Sequence, residues 1–247
     1  MPLEKSSNYT KKIKDVTDKP QNTTDKDGVG KYINDVADFL HSYIENTGND
    51  NGSKETKNFE TQLKNGTLLQ GLRDVLPKIT SLGTFNANNF EADAKTEYDK
   101  YSAKAKDELV KANQAKTPEE QSEALVTVAM YYYREALWRF AAYKNLLNNI
   151  PQQQNLVLGL VELGQAFFNA ANTLDQAAAM ETGRKKKEAK EIDREKLVAK
   201  RLFEAAKEIF TLIINKFGPG LVTIGTEKAD KICNDYIDAS NKGIARN

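Results

Sequence analysis

Apolar side chains recur at the spacing of an α-helix along most of this sequence. From Val29 they fall at positions 29, 32, 33, 36, 40, 43 and 44, which form one stripe of a helix with 3.6 residues per turn. Similar stripes predict further helices over about 53–83 (with breaks at Gly66 and Pro77), 88–112, 118–149, 151–182, 184–217 and 221–242. Because no run of alternating β-branched residues is bounded by turn signals, the sequence predicts an all-α protein.

The clearest start of a helix is Thr117-Pro118-Glu119-Glu120. A threonine can cap a helix, the fixed φ of proline suits the first helical position, and two acidic residues complement the positive end of the helix dipole. Several predicted helices have about 30 residues, so each is on the order of 45 to 50 Å long. The sequence therefore predicts an elongated bundle of six or seven helices. The narrow stripe of the 88–112 helix places that helix on the surface of the bundle or in a coiled-coil-like seam with one neighbour.

Residues 1–28 contain few large apolar side chains, and such a segment cannot bury enough surface to order itself. We expect a flexible N-terminal arm followed by a single bundle domain over 29–247, with a possible subdivision near 83–88.

Residues 145–174 contain a single charged side chain, Glu162. A position in the middle of the bundle would account for this, because charges are costly there. A subunit interface would also exclude charges from its centre. A third alternative is a membrane-inserting hairpin, as in α-helical pore-forming toxins, although Glu162 and the amides near Pro151 make that segment a poor membrane span. If this low-charge segment forms an interaction surface, the candidate contact residues are Leu156, Leu160, Phe167 and Phe168.

A strongly charged segment follows directly. Residues 184–208 hold ten basic and six acidic side chains, most of them spaced for pairing along a solvated helix. The first basic turn, Arg184, Lys185, Lys186 and Lys187, could instead contact phosphates or another anionic surface.

The segment from Met130 to Tyr143 contains six aromatic residues. Tyr131, Tyr132 and Tyr133 point about 100° apart around a helix, so this helix is expected to have neighbours on several sides. Central packing is one interpretation. The other is a protein-binding surface anchored by the three tyrosines with Trp138 and Arg139, since Tyr, Trp and Arg dominate the binding energy of interfaces.

The inventory of reactive groups is small. The chain of 247 residues has one histidine, His41, and one cysteine, Cys233, which leaves little for a metal site, a disulfide or a catalytic triad. The glycines at 220 and 225 have the spacing of a P-loop, but Thr226 stands where lysine is required. We therefore expect no enzyme activity, no cofactor and no metal.

The overall charge is balanced, with 36 Lys and Arg against 35 Asp and Glu, which disfavours nucleic-acid coating as the main role. No signal peptide or membrane-spanning stretch is evident, so the default expectation is the cytoplasm. These features favour a non-catalytic interaction or assembly subunit that binds a protein partner or forms a homo-oligomer. The alternatives are a membrane-active protein of the pore-forming type and, less favoured, an RNA-coating nucleocapsid-like subunit.

Overall fold

A computed structural model describes residues 26–45, 87–143, 154–180, 189–217, 223–224 and 227–247. These residues form six helices and one short strand pair. The elements are α1 (Lys26–Glu45), α2 (Ala87–Gln114), α3 (Pro118–Tyr143), α4 (Gln154–Ala179), α5 (Ala189–Phe217), β1 (Thr223–Ile224), β2 (Glu227–Lys228) and α6 (Ala229–Arg246). The prediction of an all-α fold with several long helices is confirmed.

The bounds of the helices differ from the predicted ones at several ends. Helix α1 begins at Lys26 rather than at Val29, so the last residues assigned to the arm are helical. The rest of the arm, the helical region predicted over 53–83 and the proposed subdivision near 83–88 lie outside the described residues, apart from the first turn of α2. The predicted ends near 149, 151, 182 and 184 also fall outside them.

The largest difference is at the start of the last helix, where the prediction was wrong. The last helix begins at Ala229 rather than near 221, because β1 and β2 pair antiparallel before it, with Thr223 opposite Lys228 and Ile224 opposite Glu227. The β-branched residues Thr223 and Ile224 follow Val222 and precede Gly225. Such residues favour extended backbone, because their branched side chains lose rotamer freedom in a helix.

The start of α3 agrees with its sequence signal. The backbone N–H of Glu120 donates to Thr117 Oγ1 at 3.1 Å, and the backbone N–H of Lys116 donates to Glu120 Oε2 at 3.0 Å. The first bond satisfies a backbone donor that a helix leaves open at its N-terminus, and the second ties the residue before the cap to the first turn. The turn between α2 and α3 is therefore fixed by local side chains.

From α2 to α6, each helix packs mainly along the next one in the chain. Helix α1 is different, since it lies against α3 and α5 and touches α2 only slightly. Helix α3 consequently has neighbours on three sides, α1, α2 and α4, which explains why apolar and aromatic residues surround it. Helix α2 packs on α3 almost alone, as its narrow stripe predicts.

The core is rich in aromatic rings that pack between helices. Phe168 lies edge-on to Phe203 and to Tyr236, with ring centroids 5.5 and 5.0 Å apart, and Phe210 stacks on Tyr236 at 4.8 Å. Glycines make room for some rings. A Cβ atom at Gly164 would lie 2.6 to 2.9 Å from ring atoms of Phe210, so the α4–α5 contact at this point requires glycine.

The apolar side chains of α4 face this core. Val157, Leu160, Phe167 and Leu174 are completely buried within the single chain, which accounts for the scarcity of charge in this part of the sequence. Among the described helices, none is long and apolar enough to cross a membrane.

Candidate interaction site

The contacts between α1 and the rest of the bundle define a site that binds a helix. Gly30, Asn34 and Asp38 form one ridge of α1, four residues apart. Trp138 of α3 lies on Gly30, so close that a Cβ there would be 3.1 Å from the indole ring. We call the surface of α3 and α5 beneath α1, with the adjoining edge of α2, the α1 groove.

Polar side chains hold the same ridge of α1 at two further points. The Tyr101 hydroxyl of α2 donates to Asn34 Oδ1 at 2.8 Å, and the Arg134 guanidinium of α3 donates to the Asp38 carboxylate. From position 30 to 38 of α1 the α3 contacts run from Trp138 back to Arg134, so the two helices run in opposite directions. Direction and register of α1 are thus fixed by side-chain chemistry.

The adjoining side of α1 supplies its apolar part. Ile33, Ala37, Leu40 and Ile44 recur at helical spacing and are almost completely buried. Near the end of α1, Arg194 of α5 lies 5.1 Å from the Tyr43 ring centroid and donates to the Tyr43 carbonyl oxygen at 3.4 Å. Helix α1 therefore joins buried apolar side chains with polar contacts along one edge, which is the usual form of a helix that binds in a groove.

A cluster of tyrosines and cations borders the groove between α2 and α3. The rings of Tyr101 and Tyr131 lie 6.4 Å apart. Lys104 Nζ is 5.6 and 5.8 Å from their centroids, and the guanidinium carbon of Arg134 is 6.0 Å from each. Cations over tyrosine faces are attracted by the ring quadrupole, by about 0.5 to 1 kcal/mol at exposed sites, so the cluster helps to orient Arg134 toward Asp38.

On another face of α3, Arg139 forms a largely buried ionic network. Its Nε donates to Glu135 Oε1 at 2.9 Å, and its Nη1 donates to Glu162 Oε2 of α4 at 2.6 Å. Its guanidinium carbon also lies 4.0 Å from the Tyr98 ring centroid of α2. The side chains of Arg139 and Glu135 are only 8% and 7% exposed, against 41% for Glu162. One arginine thus connects three helices.

Burial and charge act in opposite directions within this network. Burial raises the pKa of Glu135, and the charge of Arg139 with hydrogen bonds from Arg139 and Ser102 offsets that rise only in part. Burial lowers the pKa of Arg139, but Glu135 and Glu162 outweigh it, so the pKa of Arg139 is raised. Arg139 is therefore firmly charged, while Glu135 takes up a proton more readily than an exposed glutamate does.

The sequence-predicted interaction residues that the structure describes do not lie together on one surface. Tyr131 is partly buried beside α2, and Tyr133 is buried with its ring 6.5 Å from Phe167 of α4. Trp138 faces α1. Tyr132 is partly buried, and this burial raises the pKa of its hydroxyl.

The remaining predicted residues divide between the core and the undescribed parts of the chain. Leu160 and Phe167 are buried within the core, and Phe168 is partly buried against it. The side chain of Leu156 lies outside the described residues, and so does the whole of Arg184, Lys185, Lys186 and Lys187. The suggested contact of that basic turn with an anionic surface stays a prediction.

Reactive groups in the described ranges are few. His41 lies on α1 and is partly exposed. Burial raises the pKa of the Cys233 thiol to about 12, so this thiol stays protonated and unreactive at neutral pH. Within the same ranges, no group of three or more His, Cys, Asp and Glu side chains could hold a metal ion.

Sequence reasoning singled out Trp138, Arg139 and Glu162, but it missed the other residues that position α1 or surround Arg139. The four-residue spacing of Gly30, Asn34 and Asp38 was visible, but nothing in one sequence shows which helix such a ridge contacts. The Glu135–Arg139 pair had a local signal, since acid and base four residues apart face each other on a helix.

Comparison of the chain with protein-family models, with curated proteins and with solved structures finds no match. The fold and its contacts therefore carry the functional argument. At the level of class, the described residues define an all-α bundle in which the first described helix, α1, packs on α3 and α5.

Proposed function

We propose that this protein is a non-catalytic interaction or assembly subunit that works by helix-in-groove binding. The observation that carries the proposal is the docking of α1 on α3 and α5, with only slight contact to α2, the next helix that the structure describes. Helices α2 to α6 pack on one another in the order of the chain. In addition, α3 and α5 form a surface on which α1, a helix distant in sequence, docks.

The chemistry of the α1 groove supports this role. Trp138, Tyr101 and Arg134 belong to the residue types that contribute most to protein interfaces. Each contacts one residue of α1. In the same order, these residues are Gly30, Asn34 and Asp38. Such contacts select a particular helix, whereas apolar packing alone would accept many.

The first experiment is light scattering after gel filtration at protein concentrations from about 1 micromolar to about 1 millimolar. In this range a binding segment of another molecule can compete with one that belongs to the same chain. We expect a mass above the 27.6 kDa of one chain as concentration rises, or a stable complex with a protein partner. Arg134→Ala should weaken that association. Lys95→Ala is the matched control, because its side chain lies on the exposed face of α2.

A chain that stays strictly monomeric at the highest concentration and forms no complex with any protein would refute the proposal. Dye release from liposomes would instead favour the membrane-active alternative. Binding to RNA that weakens as salt rises would favour the nucleocapsid-like one.

A further inference from the structure

The outer side of α4 carries side-chain amides where a solvated helix of this protein carries charges. A set of positions there lies within about 60° around the helix and extends over about 27 Å. We call this set the amide ridge, and its members are Leu158, Gln165, Asn169, Asn172 and Gln176. All of them are exposed or partly exposed. Leu158, at 40%, is one of two large apolar residues exposed in the described ranges.

Burial explains the lack of charge on the inner side of α4 but not on this ridge. Over 95–111 of α2, by contrast, most exposed positions are Lys, Asp or Glu. The charged residues that border the ridge, Glu162 and Asp175, both form ion pairs within the chain. Asn is also a poorer helix former than Lys or Glu, so solvation alone does not favour Asn169 and Asn172 in mid-helix. A subunit interface accounts for the ridge, because the centre of an interface is depleted of charged residues.

The amide groups of the ridge are complementary to a copy of themselves. Within the part of the chain that the structure describes, the side chains of Gln165, Asn169, Asn172 and Gln176 form no hydrogen bond with another residue. Each of these amides has two N–H donors and a carbonyl acceptor, so one amide ridge can both donate to and accept from another. In a twofold dimer the same surface meets itself. A ridge of like charges would repel its own copy, whereas an amide ridge does not.

We propose that two copies of this chain form a twofold dimer through the amide ridge of α4. The inference concerns a second surface and does not require docking of a helix in the α1 groove. The two α4 helices run antiparallel, with the twofold axis between Gln165 and Asn169 at the middle of the ridge. Gln165 of one copy then faces Asn169 of the other, and Leu158 faces Gln176.

The size of the ridge sets the expected strength of the dimer. A surface about 27 Å long and one helix, about 10 Å, wide is smaller than the roughly 800 Å² per partner of a standard interface. We therefore expect a weak dimer. Light scattering of the full-length chain should show the mass rising with concentration from the 27.6 kDa of one chain toward twice that value.

Charges placed at Asn169 test the twofold contact. In Asn169→Lys and in Asn169→Glu, like charges approach each other across the axis, so each variant should raise the dissociation constant at least about tenfold. An equal mixture of the two places opposite charges together and should restore the dimer. Asn241→Lys is the matched control, because Asn241 is exposed on α6. Lys and Glu are better helix formers than Asn, and circular dichroism monitors the fold of every variant.

Salt separates amide contacts from charged ones. Because the amide ridge carries no charge, the dissociation constant of the wild-type dimer should change less than about threefold between low and high salt. A dimer that dissociates as salt rises is held by charged groups and overturns the inference.

The same measurements distinguish failure of this inference from failure of the proposed function. A strictly monomeric wild-type chain overturns the amide-ridge dimer, while a complex with another protein would leave the proposed function standing. A dimer that Asn169→Lys leaves intact and Arg134→Ala weakens has the same two consequences. A dimer lost in Asn169→Lys but not in Arg134→Ala supports the amide ridge and refutes the α1 groove as the means of assembly. Single variants that dissociate without recovery in the mixture overturn the twofold contact.

Discussion

Replacing Arg139 by methionine tests whether the buried ionic network stabilises the bundle. Methionine retains much of the apolar stem but removes the cation, so the Glu135 carboxylate, 7% exposed, loses its ion pair and its hydrogen bond from Nε. Removing one partner of a buried ion pair costs about 3 to 5 kcal/mol. The Ser102 hydrogen bond remains, and Glu162 is exposed enough to be rehydrated, so we expect a loss of about 3 kcal/mol, at the lower end of that range.

The measurement is urea unfolding at pH 7, followed by circular dichroism and by the fluorescence of Trp138, the single tryptophan. With a slope of about 3 kcal/mol per molar urea, the midpoint should fall by about 1 M. Coincidence of the two signals checks that one free energy describes the transition. Lys95→Met is the control, because the side chain of Lys95 is 63% exposed and such pairs contribute less than about 1 kcal/mol.

A second variant decides whether the uncompensated carboxylate causes the loss. In Arg139→Met/Glu135→Leu no buried charge remains at this position, and the double variant should recover at least about 2 kcal/mol relative to Arg139→Met. Equal unfolding of Arg139→Met and Lys95→Met would refute the reasoning. So would a double variant less stable than Arg139→Met.

Three further predictions follow from single contacts. The folded-state pKa of Glu135 is raised above its ordinary 4.5, so the protonated carboxyl stabilises the fold below pH 4.5 and this stabilisation is lost as pH rises through the folded-state pKa. Glu135→Gln does not titrate, so its free energy of unfolding should increase relative to that of wild type as pH rises from 4.5 through that pKa. Urea titrations at a series of pH values measure the difference. Gly164→Ala places a Cβ within 2.9 Å of the Phe210 ring and should lower the free energy of unfolding by about 1 to 3 kcal/mol. The thiol of Cys233, with a pKa of about 12, should resist an aromatic disulfide reagent in the native protein and react at once in urea.

Each of these predictions has a result that would contradict it. A pH-independent difference between wild type and Glu135→Gln would show that the glutamate titrates as it does in the unfolded chain. Gly164→Ala as stable as wild type would mean that α4 and α5 separate easily at Phe210. Rapid labelling of Cys233 without denaturant would place the thiol at the surface.

Local signals predicted much of the fold correctly. Thr117 and Glu120 fix the start of α3 by bonds within five residues, so the sequence around them was sufficient. The aromatic residues around α3 correctly indicated several neighbours, because a helix can bury a full circumference only when others surround it. The start of α6 was wrong, since the β-branched residues near Ile224 were assigned to a helix on their apolar character alone.

The site was much less predictable, because its contacts join residues far apart in the chain. The sequence drew attention to Trp138, Arg139 and Glu162, but it did not show that Arg139 pairs with Glu162 or that Trp138 lies on Gly30. Glu162 is the single charged residue of the charge-poor segment 145–174, and its carboxylate forms an ion pair with Arg139 across the α3–α4 contact. Pairings of this kind depend on which helices meet, and hydrophobic periodicity does not contain that information.

The order in which the helices pack has a kinetic consequence. Contacts between consecutive helices need only short loops to close, whereas Asp38 and Arg134 are 96 positions apart and Tyr43 and Arg194 are 151 apart. Because long loops form slowly, we expect α2 to α6 to assemble first and α1 to dock last. The docking of α1 is thus expected to be the last step of folding, after the other described helices have packed.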